Sequence, residues 1–472
     1  MIGRIGIRWL PSGAWILPLA VAALLLAPPG ASLISFYAFR WYAVPFVLLA
    51  VAGRKYTWAA RVATGLGIAT GAYFLASYGI GFWADADIAV WPFLVGGLVV
   101  VALGLIQLNG GIGGLKALDP VVLAASQLAI GLVATWTYYA ISGIGTDPAA
   151  YAQDTWRTPF TVELPILALA LAGVGLGVSR SWAPCLDRLR IRWPLWWQPC
   201  LALLVAGSYV LSVGPVNDLT YLLMPNTYGA IAAVGAKTSA GQGLGLVVLF
   251  GTMAGIAEET LFRGALQPRA GIVITALLFA MIHIQYGVSP ILAMVFVHGL
   301  GYGLLRRYIN TTTAIMAHAG YDIVGSVGLQ TETVAIVVLI MALSLMWPAM
   351  QQWPTYVLAF FLTSLLWLVG LAIHWYGANL AAFVCLGVGG CLIMSLAIGF
   401  EAHQRGSRAR GWFGVGAWLV AAVPYLPWSG SRPFALALVG AASVLVGGFI
   451  WYRLVVTDAE ESDLQTVGPE SN

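Results

Sequence analysis

The chain has 472 residues, of which 60% are hydrophobic and only 8% charged, with a formal net charge of +4. An ordinary soluble domain carries roughly 25% charged residues, so this composition does not coat a water-facing globule of such size. It excludes a soluble enzyme, a disordered chain and a nucleic-acid binder. What remains is an all-α, polytopic integral membrane bundle, its glycines permitting close helix approach and its tryptophans collecting at the interfaces.

A helix needs about 20 apolar residues to cross the hydrocarbon. The N-terminal run, with Arg4 and Arg8 ahead of apolar Ala14 to Ala27, has the outline of a signal peptide. No small-residue cleavage site follows it and more spans come directly after, so it reads as the first membrane helix. Further spans are predicted near 32–52, 62–83, 88–107, 119–143, 160–179, 194–214, 243–266, 270–285, 289–305, 309–328, 333–350, 355–376, 378–400, 411–428 and 433–456. With the first near 13–30, this gives about 14–16 transmembrane helices. If the spans alternate, Arg54, Lys55, Arg61, Lys116, Arg180, Arg188, Arg190, Arg192, Arg269, Arg306, Arg307 and Arg405 to Arg410 fall on one side. Positive charge marks the cytoplasmic side, so both termini are expected in the cytoplasm and the protein in the cell (plasma or inner) membrane. Cys185, Cys200, Cys385 and Cys391 show no metal-type spacing and are expected to pack in the core.

Composition predicts three membrane blocks and a tail. Residues 1–193 form an N-terminal transmembrane module that ends in a basic stretch, and residues 194–330 hold nearly all the intramembrane polar chemistry. Residues 331–456 form an almost purely apolar C-terminal module, and 457–472 an acidic, disordered tail. The glycine cluster from Gly110 to Gly114 reads as loop punctuation, and Gly299-x-x-x-Gly303 as a helix-contact signal.

Ionisable groups within a membrane are costly and usually functional. Glu258 and Glu259 are adjacent at the end of an apolar helix, and three of the five histidines, His283, His298 and His318, follow within sixty residues. With about 1.5 Å rise per residue, Glu258, His283, His318 and Asp322 lie roughly 14–20 Å from their helix ends, so one depth can hold all four. Glu259 and Arg263 are four apart, on one helix face, and predict an ion pair. His318 and Asp322 share that spacing. Neighbouring Glu258 and Glu259 point about 100° apart, so one carboxylate can face a cavity while the other is tied to Arg263.

In order along the chain stand Glu258-Glu259-x-x-x-Arg263, Phe279-x-x-x-His283 and His318-x-x-x-Asp322. These resemble the three-motif signature of the CAAX protease and bacteriocin-processing (CPBP) intramembrane proteases, the group related to type II CAAX prenyl endopeptidases. The stretch from Phe296 to Arg307 is similar to that family's glycine-rich helix before the third motif. The resemblance covers about residues 240–328, under a fifth of the chain. It implies an intramembrane endopeptidase in which Glu258, with His283, activates a water to attack a peptide bond of a membrane-associated or lipidated protein or peptide. Glu259 and Arg263 would orient and neutralise, and His318 and residue 322 would stabilise the oxyanion. The third motif commonly ends in Asn, and here Asp322 stands in its place. Either Asp322 is protonated and donates, or it holds His318 in the productive tautomer and His318 alone donates. Phe279 and His298 are candidate site-lining residues; Tyr302, one turn from His298, is its expected partner. No cofactor is expected.

Three other readings fit parts of the pattern. Two carboxylates and two or three histidines suffice to hold Zn²⁺ in a zinc-dependent protease, though no His-Glu-x-x-His pair is present. A transporter would spread charged or broken helices over two halves of the chain, whereas here they cluster in one short block. A non-catalytic scaffold would keep the motifs for packing.

Overall fold

The computed structural model describes residues 34–328, except 84–89, 113, 114, 117 and 152, together with residue 334. The first predicted span (13–30), the tail (457–472), the C-terminal module (331–456) apart from residue 334, and with it Cys385, Cys391, His374 and His403, lie outside the described residues. The chain divides into two compact units, one containing residues up to 194 and 216–326, the other 195–215 and those from 327 onward.

The described part of the first unit is built from α1 (Ile34–Gly53), α2 (Thr57–Trp83), α3 (Trp91–Leu108), α4 (Pro120–Ser142), α5 (Thr158–Gly173) and the short α6 (Trp182–Leu189). Then come α7 (Trp197–Leu223), whose stretch to Pro215 belongs to the second unit, and α8 (Pro225–Ser239), α9 (Leu244–Glu259), α10 (Gln267–Met281), α11 (Pro290–Tyr308) and α12 (Thr311–Val327). Among the described residues, four stretches are long and apolar enough to cross a membrane: Trp91–Leu108, Pro120–Ser142, Trp197–Leu223 and Leu244–Met281. Tyr42–Gly53 and Thr158–Gly173 are shorter apolar helices. The protein is a helical membrane bundle.

The sequence supplies its own helix boundaries. Asp119 caps α4 by accepting from the backbone N–H groups of Val121 and Val122, Pro120 follows at the first helical position, and Gly143 ends the helix in the left-handed region (φ 73°). Ser289 caps α11 through Leu292 N–H, and Asn310 caps α12 through Thr313 N–H. Gly271 (φ 77°) breaks what would otherwise be one helix from Leu244 to Met281. Some boundaries differ from the sequence expectation. The fifth helix stops at Gly173 instead of 179, because Gly175 and Gly177 turn the chain with positive φ. Helix α8 occupies a stretch whose polar residues predict a loop. The glycine cluster carries a two-residue antiparallel ribbon, Gly111–Ile112 with Leu115–Lys116.

Small residues decide how close the helices come. α9 packs on α5, and α10 on α11. On α9, a Cβ added at Gly251 would lie 3.0 Å from Asp322 Cβ, and one at Gly255 2.9 Å from both Ala319 N and Ile315 O of α12. On α11, a Cβ at Gly303 would lie 2.7 Å from Ile272 of α10, and one at Gly299 3.2 Å from Ala276 and from Phe279. Two glycine pairs of four-residue spacing thus bring α9 against α12 and α11 against α10, backbone to backbone.

The loops at the opposite end from the arginine-rich connections are tied through Asp154, which accepts from Gln242 Nε2 at 3.0 Å. Burial pushes the Asp154 carboxyl from near 3.8 up to about 6, against the opposing hydrogen bonds from Gln242 and Thr158. The folded state therefore holds this proton more tightly than the unfolded chain, so its stabilisation is full below pH 3.8 and lost as pH rises to about 6. Asp154→Asn is expected to flatten that part of the melting-temperature profile. Gly255→Val is expected to cost about 1–3 kcal/mol by forcing α9 off α12. Gly245→Ala, on the same helix with nothing within 4 Å of its added Cβ, is expected to leave thermal unfolding in detergent unchanged or slightly improved.

Candidate active site

Glu258 and Glu259 are the last two residues of α9, and the chain then widens into one π-type turn, Thr260–Leu266, before α10. Such turns shift the helical face by one residue and recur at functional sites. Arg263 sits within this turn, and its Nε meets Glu259 Oε2 at 3.0 Å. Both residues are fully buried, at 0% exposure. The guanidinium lies 4.6 Å from the Phe279 ring centroid and 5.9 Å from those of Phe262 and Tyr302, so aromatic faces replace the water it gave up. Leu189 of α6 closes over Gly264 of the turn, where an added Cβ would lie 2.8 Å from Leu189 Cδ2.

The other oxygen of Glu259 reaches a different helix. His318 Nδ1 of α12 donates to Glu259 Oε1 at 2.9 Å; an ionised carboxylate only accepts, so this nitrogen carries the proton. His318 Nε2 faces Asp322 Oδ2 at 3.5 Å, too long for a good hydrogen bond. The imidazole is clamped as well as bonded: Tyr302 stacks on it at 5.1 Å and 16°, and Phe279 meets it edge-on at 5.6 Å. Glu259, which the sequence reading pairs only with Arg263, is therefore the group that fixes the His318 tautomer. Asp322 sits on the opposite side of the ring.

His283 follows the end of α10. Its Nδ1 lies 2.9 Å from the carbonyl oxygen of Phe279, which can only accept, so Nδ1 carries a hydrogen. The ring stacks on Tyr286 at 5.9 Å and 7°. Phe279, four residues before His283, thus touches Arg263, Tyr302, His283 and His318 at once. Around the bridge lie Glu258, itself buried at 7% exposure, the Asp322 side chain, 26% exposed, and His283, half-buried. They share one electrostatic neighbourhood. His318 feels Glu258, Glu259 and Asp322, and Tyr286 feels Asp322 and Glu258. His298, buried on α11, feels His318 and His283, and its ring meets Tyr321 at 5.1 Å. The structure thus gathers Glu258, Glu259, Arg263, Phe279, His283, His298, His318 and Asp322. It adds Tyr302, Phe262, Tyr286 and Tyr321, whose only sequence signal is an aromatic one turn from a motif residue.

Among the described residues no group of three His, Cys, Asp or Glu side chains is arranged to hold a metal ion. Residues 240–324, under a fifth of the chain, match the family model of type II CAAX prenyl endopeptidases, Rce1-like, so this segment is similar to a family of peptidases, that is, hydrolases. No curated protein and no solved structure matches the chain.

Removing Arg263 takes one of its two partners from the buried Glu259 and leaves only His318. Arg263→Gln is expected to cost about 3–5 kcal/mol, read as lost yield and early melting of the detergent-extracted protein. Breaking the exposed Arg54–Asp119 pair by Arg54→Gln is expected to cost under about 1 kcal/mol.

Proposed function

We propose that this protein is a glutamate-dependent intramembrane endopeptidase, in which Glu258 activates the water that attacks a peptide bond of a membrane-associated protein or peptide. The observation that carries the reading is the division of labour between two adjacent carboxylates. Glu259 is sealed between Arg263 and His318, while Glu258, 7% exposed, takes no part in that bridge and lies in the electrostatic neighbourhood of His318 and Tyr286. A carboxylate that is spent on structure does not accept a substrate proton; its neighbour does.

In this mechanism His283, with Nδ1 committed to the Phe279 carbonyl, presents Nε2 to the water and aligns it for Glu258. The carboxylate of Glu258 takes one proton as the oxygen adds to the carbonyl carbon, and returns it to the departing amine. His318 acts as an imidazolium, its Nδ1–H fixed by Glu259 and its Nε2–H turned to the oxyanion. The charges then nearly balance: Arg263 and His318 are positive, while Glu258, Glu259 and Asp322 are negative. Asp322 supports the positive ring from the side of Nε2 without consuming that hydrogen, since 3.5 Å is too long for a strong bond. A preorganised donor of this kind contributes about 3–4 kcal/mol to the barrier. The domain organisation that fits is a catalytic core at 194–330 flanked by helices that shape substrate entry, in a cell membrane with the site opening to the cytoplasm. The substrate class that the family match favours is a prenylated or otherwise membrane-held polypeptide.

The zinc reading fits less well. His318 has a carboxylate facing each nitrogen and His283 has one nitrogen on a carbonyl, so little lone-pair capacity faces a common point.

The test is comparative proteomics of protein termini in membranes carrying the wild type or Glu258→Gln. Termini generated by the wild type are expected to fall about 100-fold or more with the variant, at unchanged protein level, and to persist when a chelator is added. Equal termini with Glu258→Gln would overturn the assigned base. Loss with chelator and recovery with Zn²⁺ would establish the zinc-dependent chemistry instead.

A further inference from the structure

The arginines that the sequence scatters over four connections converge at one end of the first unit. Arg269, at the start of α10, lies within electrostatic reach of Arg54 and Arg180; Arg188 of α6 is within reach of Arg269 and Arg180; Arg306, at the end of α11, is within reach of Arg188 and Arg190. This is an unbroken chain of like charges. Two carboxylates lie near these arginines: Asp119, both of whose oxygens the Arg54 guanidinium takes at 2.7 and 2.8 Å, and Asp187 of α6, which accepts from Arg192 at 3.2 Å. The other arginines donate to backbone carbonyls: Arg180 to Val174, Arg188 to Gly264, and Arg190 to both Arg306 and Arg307. Such bonds fix the guanidinium planes but leave the positive charge uncompensated. Arg306 Nε is buried and has no hydrogen-bond partner among the described residues.

We infer that Arg180, Arg188, Arg269 and Arg306 form a binding site for the phosphate of an anionic phospholipid. The guanidinium fork matches phosphate oxygens bidentately. Location favours a lipid over a free anion. The cluster sits at the ends of membrane helices, and the amphipathic α6 that carries Arg188 turns Cys185 and Leu189 inward. Trp182 (51% exposed) and Trp193 (93% exposed) flank it, and tryptophan prefers the headgroup layer. The site also touches the catalytic region, because Arg188 donates to the Gly264 carbonyl in the same π turn that holds Arg263. A bound phosphate neutralises the mutual repulsion of these arginines and so steadies that turn. The inference stands apart from the peptidase reading and is tested without any measurement of cleavage.

The full chain, extracted in detergent, is titrated with phosphatidylglycerol and with phosphatidylcholine of identical acyl chains, and bound lipid is counted by native mass spectrometry. Phosphatidylglycerol is expected to be retained about tenfold more strongly. Arg180→Gln/Arg269→Gln is expected to bring that preference to within about twofold, with phosphatidylcholine binding and lipid-free melting unchanged. Should the double variant fold poorly, Arg269→Gln alone, at an exposed position, is expected to lower the preference about threefold. Arg61→Gln, on α2 outside the cluster, is expected to keep it. Equal retention of the two lipids, or a preference that survives both cluster variants, would overturn the proposal. So would displacement of phosphatidylglycerol by millimolar inorganic phosphate, which would identify a site for the free anion.

Discussion

One carboxylate holds this site together. Glu259 forms an ion pair with Arg263 in its own helical segment and accepts from His318 on α12, fifty-nine residues further along the chain. None of the three retains appreciable solvent contact. In a membrane interior an ion stripped of water is tolerable only when it is paired and hydrogen-bonded, and each of these groups is the other's compensation. The arrangement permits few alternatives. Moving α12 by one turn would strand the His318 imidazole and the Glu259 oxygen that it binds, and the cost of that stranding specifies the register of helices that apolar packing alone would leave loose.

The rest of the described fold serves this requirement. Small residues bring the backbones near enough for short side chains to meet: Gly251 and Gly255 admit α12 against α9, while Gly299 and Gly303 admit α11 against α10. Phe279 and Tyr302 then fill the space between Arg263 and His318 with rings instead of water. Ser289 and Asn310 fix where α11 and α12 begin. Outside the membrane helices, α6 and the loop after it brace the same elements: Thr311 donates to the Leu189 carbonyl at 2.5 Å, and Thr312 donates to that of Arg192 at 2.7 Å. A basic stretch between two hydrophobic blocks thus acts as a strap across the ends of the motif-bearing helices.

Much of this was legible in the sequence, because intramembrane charge is rare enough to be read one residue at a time. The low charge content fixed the membrane class, and the four-residue spacing of Glu259 and Arg263 anticipated their contact. The order of three motifs pointed to the family that the match at 240–324 supports. What stayed hidden is what depends on helices meeting. Nothing local in the chain says that Glu259, and not Asp322, would take His318 Nδ1, since that bond joins α9 to α12. Tyr302 reads as the neighbour of His298 by spacing, yet its ring stacks on His318 because α11 presents it across a helix boundary. The π turn was invisible for a related reason: its extra residue is stabilised by tertiary partners of Arg263 and Gly264, not by any propensity of Thr260 to Leu266. Helix α8 was missed because polar Asn226, Lys237 and Ser239 break the apolar run that marks a span.

The central claim is that Glu259 and His318 are one energetic unit across two helices. A double-mutant cycle on reversible unfolding in detergent, with Glu259→Gln, His318→Gln and the combined variant, measures it directly. The bridge predicts strong non-additivity, with a coupling of about 1.5–3 kcal/mol, the second substitution costing little once the first is made. Costs that add to within about 0.5 kcal/mol would mean that the two groups do not sense one another, and would contradict the account.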